Sequence, residues 1–325
     1  MSLATLLVVN PDALGLWGRR LWARHGPEVL RRLAPAEAVA ARDAAQAGQV
    51  TRDAALRGIR RVIAVGDDET VHGVVNGLMR LAETHRREMR LGVLSLARPT
   101  LAARAMDWPT PLERQLDLLV AAHTLPWDVG RVDCVGRDGE VARYFLTGAA
   151  FGLPPGRGAG ALATAGVSFL LPGRRPSVHI VLDGELACEG PCLFGLALVA
   201  AYDPLLGRIA PAANPLDGAL DVGWLPAAGL RDCALGLGGV VLRRPDALTW
   251  RSPIEARIEA TRGGMTVTAD GSAVGRLPAT FVCLPRALPV IVESVASRLR
   301  SRERLLLRKA AGAALAGEVK RTAGS

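Results

Sequence analysis

The first 125 residues alternate short apolar runs with longer stretches of helical spacing, and that alternation confines them to a fold built on a parallel sheet. "TLLVVN" at 5–10 is a buried-strand run closed by Asn10-Pro11, a turn signal. Residues 14–33 have helical spacing with arginine on the outside, a weak strand is expected near 37–41, and helical spacing resumes to residue 57. "RVIAV" (61–65) reads as the next strand, 70–85 as a helix, "RLGVLSL" (90–96) as a strand and "TPLERQLDLLVAA" (110–122) as a helix. Strands separated by helices predict a doubly wound α/β domain.

After about residue 125 the pattern changes. "DVGRVDCV", "ARYFLTGAA", "SVHIVLDGEL", "LFGLALVAAY", "ALDVGWL", "TWRSPIEARIEA", "GMTVTAD" and "ATFVCL" are short and β-rich, with Gly, Pro and Asp between them. Such spacing predicts an antiparallel sandwich or barrel. The expected division is an α/β nucleotide-type domain over 1–125, a β-sandwich over 126–290, and a basic helix over 291–325. A Gly/Ala-rich run covers 152–166. The tail carries Arg298, Arg300, Arg302, Arg304, Arg308 and Lys309 against Glu303. A basic face is common on a packed helix, so packing back on the first domain is expected rather than lying on a membrane surface.

Composition narrows the class. Half of the 325 residues are hydrophobic and 22% are charged, as expected of a globular chain, and no apolar stretch is long enough to span a bilayer. "MSLATLLVVNPDALG" has neither a basic leader nor a cleavage site, so it reads as a first strand and a cytoplasmic location is expected. Of the five cysteines only Cys188 and Cys192 are close, which argues against a disulfide framework or a zinc site. The net charge of +9 favours an anionic partner. Aromatics are only 4% and do not interleave with basic residues, which argues against nucleic acid and leaves an anionic membrane surface. Homodimerisation is left open.

The run Val62–Val65 ends at Gly66 and opens into a helix, the layout of a phosphate-binding strand–turn–helix. The turn, however, holds Asp67, Asp68 and Glu69 where glycines usually stand. A plain structural reading competes, since acids at a helix N-terminus favour the helix dipole. Asp270-Gly271 likewise reads as an ordinary hairpin turn. The five histidines, His25, His72, His85, His123 and His179, form no ligand-spaced cluster and receive no role.

"LLVVNP", "VIAVGDDETVHGVVNGL", "LGVLSLARPTLAARAM", "LGRIAPAANPLDGALDV" and "TADGSAVGRLPATFVCLP" follow one another as in the diacylglycerol kinase catalytic family, which the chain resembles from about residue 6 to 291. The resemblance implies a nucleotide-binding α/β domain, a β-sandwich, and an active site in the cleft between them. There the γ-phosphate of ATP passes to a lipid hydroxyl with Mg²⁺. It assigns nucleotide contacts to Asn10, Gly66, Asp68 and Thr70, a structural Mg²⁺ and water network to Asp217 and Asp221, and the general base to Asp270. Asp68, Asp217 and Asp270 are expected to face or flank the cleft.

Departures from the family pattern concentrate in the nucleotide loops. Asp67 and Glu69 replace two glycines of Gly-Gly-Asp-Gly-Thr, His72 replaces an Asn, and Asp12-Ala13 replaces Ser-Gly after Asn10-Pro11. Ala97-Arg98-Pro99-Thr100 stands where the family has Gly-Thr-Gly-Asn, and Ser272 follows Asp270-Gly271 in place of Glu. A carboxylate about 5 Å from a phosphate charge costs roughly 3 kcal/mol at an effective dielectric near 20. Pro99 also removes a backbone donor. Three functions fit: a working lipid kinase for a diacylglycerol-like alcohol, a non-catalytic relative binding a lipid or protein partner, or an enzyme using another phosphate donor.

Overall fold

A computed structural model describes residues 4–154, 176–203, 206–210, 212–227, 229–242 and 244–294. The tail helix and most of the Gly/Ala-rich run lie outside the described residues.

The α/β part runs β1 (Thr5–Val9), α1 (Gly15–Arg32), β2 (Ala36–Ala40), α2 (Ala44–Leu56), β3 (Arg61–Val65), α3 (Asp68–Met79), α4 (Glu83–Glu88), β4 (Arg90–Leu94), α5 (Leu101–Ala105) and α6 (Leu112–Ala121). β1 and β3 are buried at every position, as their unbroken apolar runs require. β2–β1–β3–β4 pair in parallel, which puts every β-to-α turn at one end of the sheet. The single helix expected over 70–85 is two. It stops at Met79 and restarts at Glu83, because Arg86 reaches back to the Met79 and Leu81 carbonyls and also donates to Ala287 O at 2.9 Å. Periodicity cannot register that long-range contact.

The β-rich part follows as β5 (Thr124–Val135), β6 (Glu140–Phe145), β7 (Gly148–Phe151), β8 (Ser177–Leu182), β9 (Glu185–Leu198), β10 (Tyr202–Asp203), β11 (Gly207–Arg208), β12 (Asp221–Pro226), α7 (Leu230–Val241), β13 (Thr249–Arg251), β14 (Glu255–Arg262), β15 (Thr266–Ala269) and β16 (Ser272–Ile291). Its pairings are antiparallel, giving a sandwich-like domain. α7 was not legible as a helix, since three glycines, Gly236, Gly238 and Gly239, interrupt its apolar run. β16 is the seam. It lies antiparallel to β5 along most of its length and, at Val290, parallel to Leu91 of β4, so one strand joins the strands of both parts into a continuous sheet. Among the described residues no helix is long and apolar enough to cross a membrane.

Among the described residues α3 is the most deeply placed helix, buried from Asp68 to Met79 except at Glu69. It crosses α2 at glycine contacts. A Cβ at Gly77 would lie 2.5 Å from the Gly48 carbonyl oxygen, against backbone that cannot swing away. Gly77→Ala is therefore expected to destabilise the protein by about 2 kcal/mol, read as a lower urea midpoint at unchanged m-value.

Candidate functional site

The end of β3 delivers Gly66 and the acidic turn to the N-terminus of α3. Gly66 is required sterically, because a Cβ there would meet Thr70 Oγ1 at 2.4 Å. Asp67 is the N-cap, with an extended backbone at φ −97° that does not need glycine. Its Oδ1 accepts from Thr70 N at 3.0 Å and from Thr70 Oγ1 at 2.9 Å. Asp68 is buried, and its Oδ1 accepts from Leu101 N at 2.6 Å, tying the first turn of α5 to that of α3. Thr100 caps α5 through Ala103 N at 3.2 Å, while Arg98 is exposed. Asn10 spends its side chain on its own turn. Oδ1 accepts from Asp12 N and Ala13 N, and Nδ2 donates to Arg42 O. Each of the four side chains or turns that the resemblance assigned to nucleotide is thus engaged within the chain.

One turn further along α3, His72 reaches the sandwich. Its Nδ1 lies 3.7 Å from Asp270 Oδ2, with both side chains 6% exposed. That is an ion-pair distance and outside hydrogen-bond range. Another turn on, Asn76 pairs with the backbone of Tyr144, donating to its carbonyl at 2.9 Å and accepting from its amide at 3.0 Å. Asp68, His72 and Asn76 recur every four residues, so one face of α3 carries all three links. Sequence reasoning missed His72. The signal was this spacing from Asp68, which a search for ligand-type clusters does not test.

Asp270 sits with Gly271 in the two-residue turn between β15 and β16, at φ 46° and 87°, where Ala269 pairs with Ser272. The hairpin reading is correct for the backbone. The side chain turns inward. Oδ2 accepts from Leu146 N at 2.9 Å, and Oδ1 accepts from Thr147 N at 2.9 Å, Thr147 Oγ1 at 2.6 Å and Gly148 N at 3.3 Å. Burial pushes this carboxyl up. The His72 imidazole, the Thr147 hydroxyl and the Leu146 amide outweigh burial and hold it below the usual carboxylate range. A carboxyl lowered on folding stabilises the fold at pH above its unfolded value, near 4, and loses that contribution as pH falls through its folded value. Between pH 5 and pH 3 the wild type is therefore expected to lose more urea stability than Asp270→Asn does.

Asp217 and Asp221 lie elsewhere. Asp217 is exposed and accepts from Ala219 N at 3.1 Å. It lines a cavity of about 810 Å³ together with Arg86, Arg87, Asp128 and Arg286, and neither Asp68 nor Asp270 lines that cavity. Its floor is held by Asp128, fully buried, which accepts from Gly218 N and Arg286 N, each at 2.7 Å. Asp221 accepts from Ser252 Oγ at 3.0 Å. Burial raises its pKa, the Ser252 hydroxyl opposes this, and the Asp217 carboxylate adds to it. The structure thus brings Asp68 and Asp270 to one helix face and leaves Asp217 in a separate cavity.

The chemistry of these groups sets what they could hold. Magnesium takes one or two carboxylates and completes its shell with water, a donor set that Asp217 and Asp221 match in kind. Among the described residues, no three His, Cys, Asp or Glu side chains stand together at metal-binding distance. A nucleotide phosphate fits less well. It would compete with Asp67 for Thr70 N and with Asp68 for Leu101 N, against the charge of both carboxylates. As folded, both of those backbone donors are held by the chain's own carboxylates.

Comparison with known proteins follows the same two parts. Residues 4–132 match the diacylglycerol kinase catalytic domain, and residues 175–292 match the YegS C-terminal NAD kinase beta sandwich-like domain. A diacylglycerol kinase of Bacillus subtilis (strain 168) is 27% identical over 314 residues, covering 88% of this chain and 95% of that protein. The crystal structure of a diacylglycerol kinase from Bacillus anthracis str. Sterne superposes with TM-score 0.68 at 17% identity, over 90% of this chain and 98% of that one. Yeast NADH kinase complexed with NADH shares the fold more distantly. Its TM-score is 0.56 at 10% identity, over 94% of this chain and 88% of that one.

Proposed function

We propose, from the match of residues 4–132 to the diacylglycerol kinase catalytic domain and of residues 175–292 to the YegS C-terminal NAD kinase beta sandwich-like domain, that the chain acts on a lipid alcohol of the diacylglycerol type, with ATP-dependent phosphorylation of the lipid hydroxyl available only when the acidic turn rearranges. ATP is the donor that a kinase family implies. One observation carries the condition: Asp67 accepts both hydrogen bonds that Thr70 offers at the N-terminus of α3. In this reading Gly66 and Thr70 shape the phosphate end of the site, while Asp68 and Asn10 hold the two flanking turns. Asp217 and Asp221 are the carboxylates that would hold Mg²⁺. Asp270 has two roles. It fastens residues 146–148, and it would accept the proton of the lipid hydroxyl once one of its donors lets go.

A second reading is favoured by the same engagement of donors. The protein is a catalytically impaired relative that binds a lipid or a protein partner and transfers no phosphate. Transfer of labelled phosphate from ATP to dispersed diacylglycerol separates the two. Slow transfer that depends on Mg²⁺ supports the first reading. Its absence at saturating ATP, with the protein folded, supports the second.

A further inference from the structure

The four-residue spacing that sets Asp68, His72 and Asn76 along one face of α3 reaches next to Arg80, the C-cap, about 18 Å along the helix from Asp68. Two more arginines gather there. Arg52 comes from α2, which packs on α3 through the Gly48 and Gly77 contact, and Arg143 comes from β6, where Asn76 fastens the backbone of Tyr144. Partial burial, then the charges of Arg143 and Arg52, push the Arg80 guanidinium below its ordinary pKa, and the Tyr144 phenol opposes them. Like charges held this close repel one another unless an anion sits among them.

Among the described residues no carboxylate supplies that anion, since none lies within ion-pair distance of Arg52, Arg80 or Arg143. Asp53, beside Arg52 in the chain, accepts from Gln49 Nε2 at 2.8 Å instead. Arg52 donates to Gln49 Oε1 and Arg143 to the Ala142 carbonyl, both neutral acceptors. The carbonyls at this end of α3, those of Met79 and Leu81, go to Arg86. Arg80 itself opens to solvent.

We propose that Arg52, Arg80 and Arg143 form a binding site for a multiply charged phosphate group, set at the opposite end of α3 from the acidic turn. A guanidinium presents a planar fork of N–H donors that matches two phosphate oxygens at once. Three forks from three separate elements converge on one group, and each gains a charged acceptor that the chain does not provide. The two ends of α3 have opposite chemistry. At the first turn carboxylates hold the donors, and at the last turn cations stand without carboxylates. The site is independent of phosphate transfer and stands whether or not the chain is a kinase.

Calorimetric titration of the full-length chain with pyrophosphate, without Mg²⁺, tests this. The expected dissociation constant is below about 1 mM and rises with salt. Arg80→Gln with Arg143→Gln should weaken binding at least about tenfold. Arg98→Gln, beside the acidic turn, should leave it unchanged. Urea unfolding guards against misfolding: with like charges removed, the double variant should match or exceed the wild-type midpoint, and pyrophosphate should raise the midpoint of the wild type more than that of the variant. Phosphatidic acid in vesicles offers the same phosphate on a lipid. Retention on those vesicles without a response to pyrophosphate, lost in the same double variant, would identify a headgroup as the source. Equal affinity of wild type and double variant overturns the proposal, as does a wild type that binds neither probe.

Discussion

Asp67→Gly combined with Glu69→Gly is expected to raise affinity for Mg-ATP at least about tenfold, because two carboxylates leave the phosphate end and each is worth up to roughly 3 kcal/mol before screening. The change frees Thr70 N and Thr70 Oγ1, which Asp67 now holds. Its effect on stability should be a few tenths of a kcal/mol, since glycine is itself an adequate N-cap. Glu69 is exposed, so most of the gain should come from Asp67. Asp67→Asn isolates the charge, as it keeps an oxygen to cap α3 while removing the carboxylate. Rebuilding residues 97–100 as Gly-Thr-Gly-Asn on the double variant should add a further gain. Asn can replace Thr100 as the cap of α5, and loss of Pro99 restores a donor. Isothermal titration of each variant is the readout. Unchanged affinity throughout would mean that these loops are not what limits nucleotide binding.

The second large effect is at Asp270. Asp270→Ala leaves three buried backbone amides and the Thr147 hydroxyl without their acceptor and removes the charge beside His72. Stranding such a set costs on the order of 3–5 kcal/mol, enough to unfold a marginal domain. Asp270→Asn keeps the volume and one acceptor oxygen, and should cost about 1–3 kcal/mol. Urea unfolding followed by circular dichroism checks both. A lost activity in Asp270→Asn therefore counts as loss of a base only where the unfolding curve shows the variant native under assay conditions. If Asp270→Ala proved as stable as the wild type, the fastening of residues 146–148 would be incidental.

Much of the architecture was legible because it rests on local pattern. The apolar runs of β1, β3 and β4 and the helical spacing of α1, α2 and α6 are each set by short-range periodicity, and the observed elements lie within a few residues of those expected. What escaped depends on distant partners. The break between α3 and α4 reflects an arginine bound to Ala287, two hundred residues on. The joining role of β16 appears only once its partners β5 and β4, from the two parts of the chain, are in place. In the site, the acidic turn was legible as an anomaly. Its two meanings could not be separated until Asp67 was seen to cap α3 and Asp68 to hold Leu101. His72 was invisible for the same reason, since its partner lies 198 positions away in another domain.

Calorimetric titration of the wild type with Mg-ATP decides whether the carboxylates of Asp67 and Asp68, which hold Thr70 N and Leu101 N, keep a nucleotide phosphate out. The expected result is a dissociation constant in the millimolar range or no measurable binding, since millimolar corresponds to only about 4 kcal/mol. A micromolar constant would contradict it, because Asp67 and Asp68 would then be no obstacle.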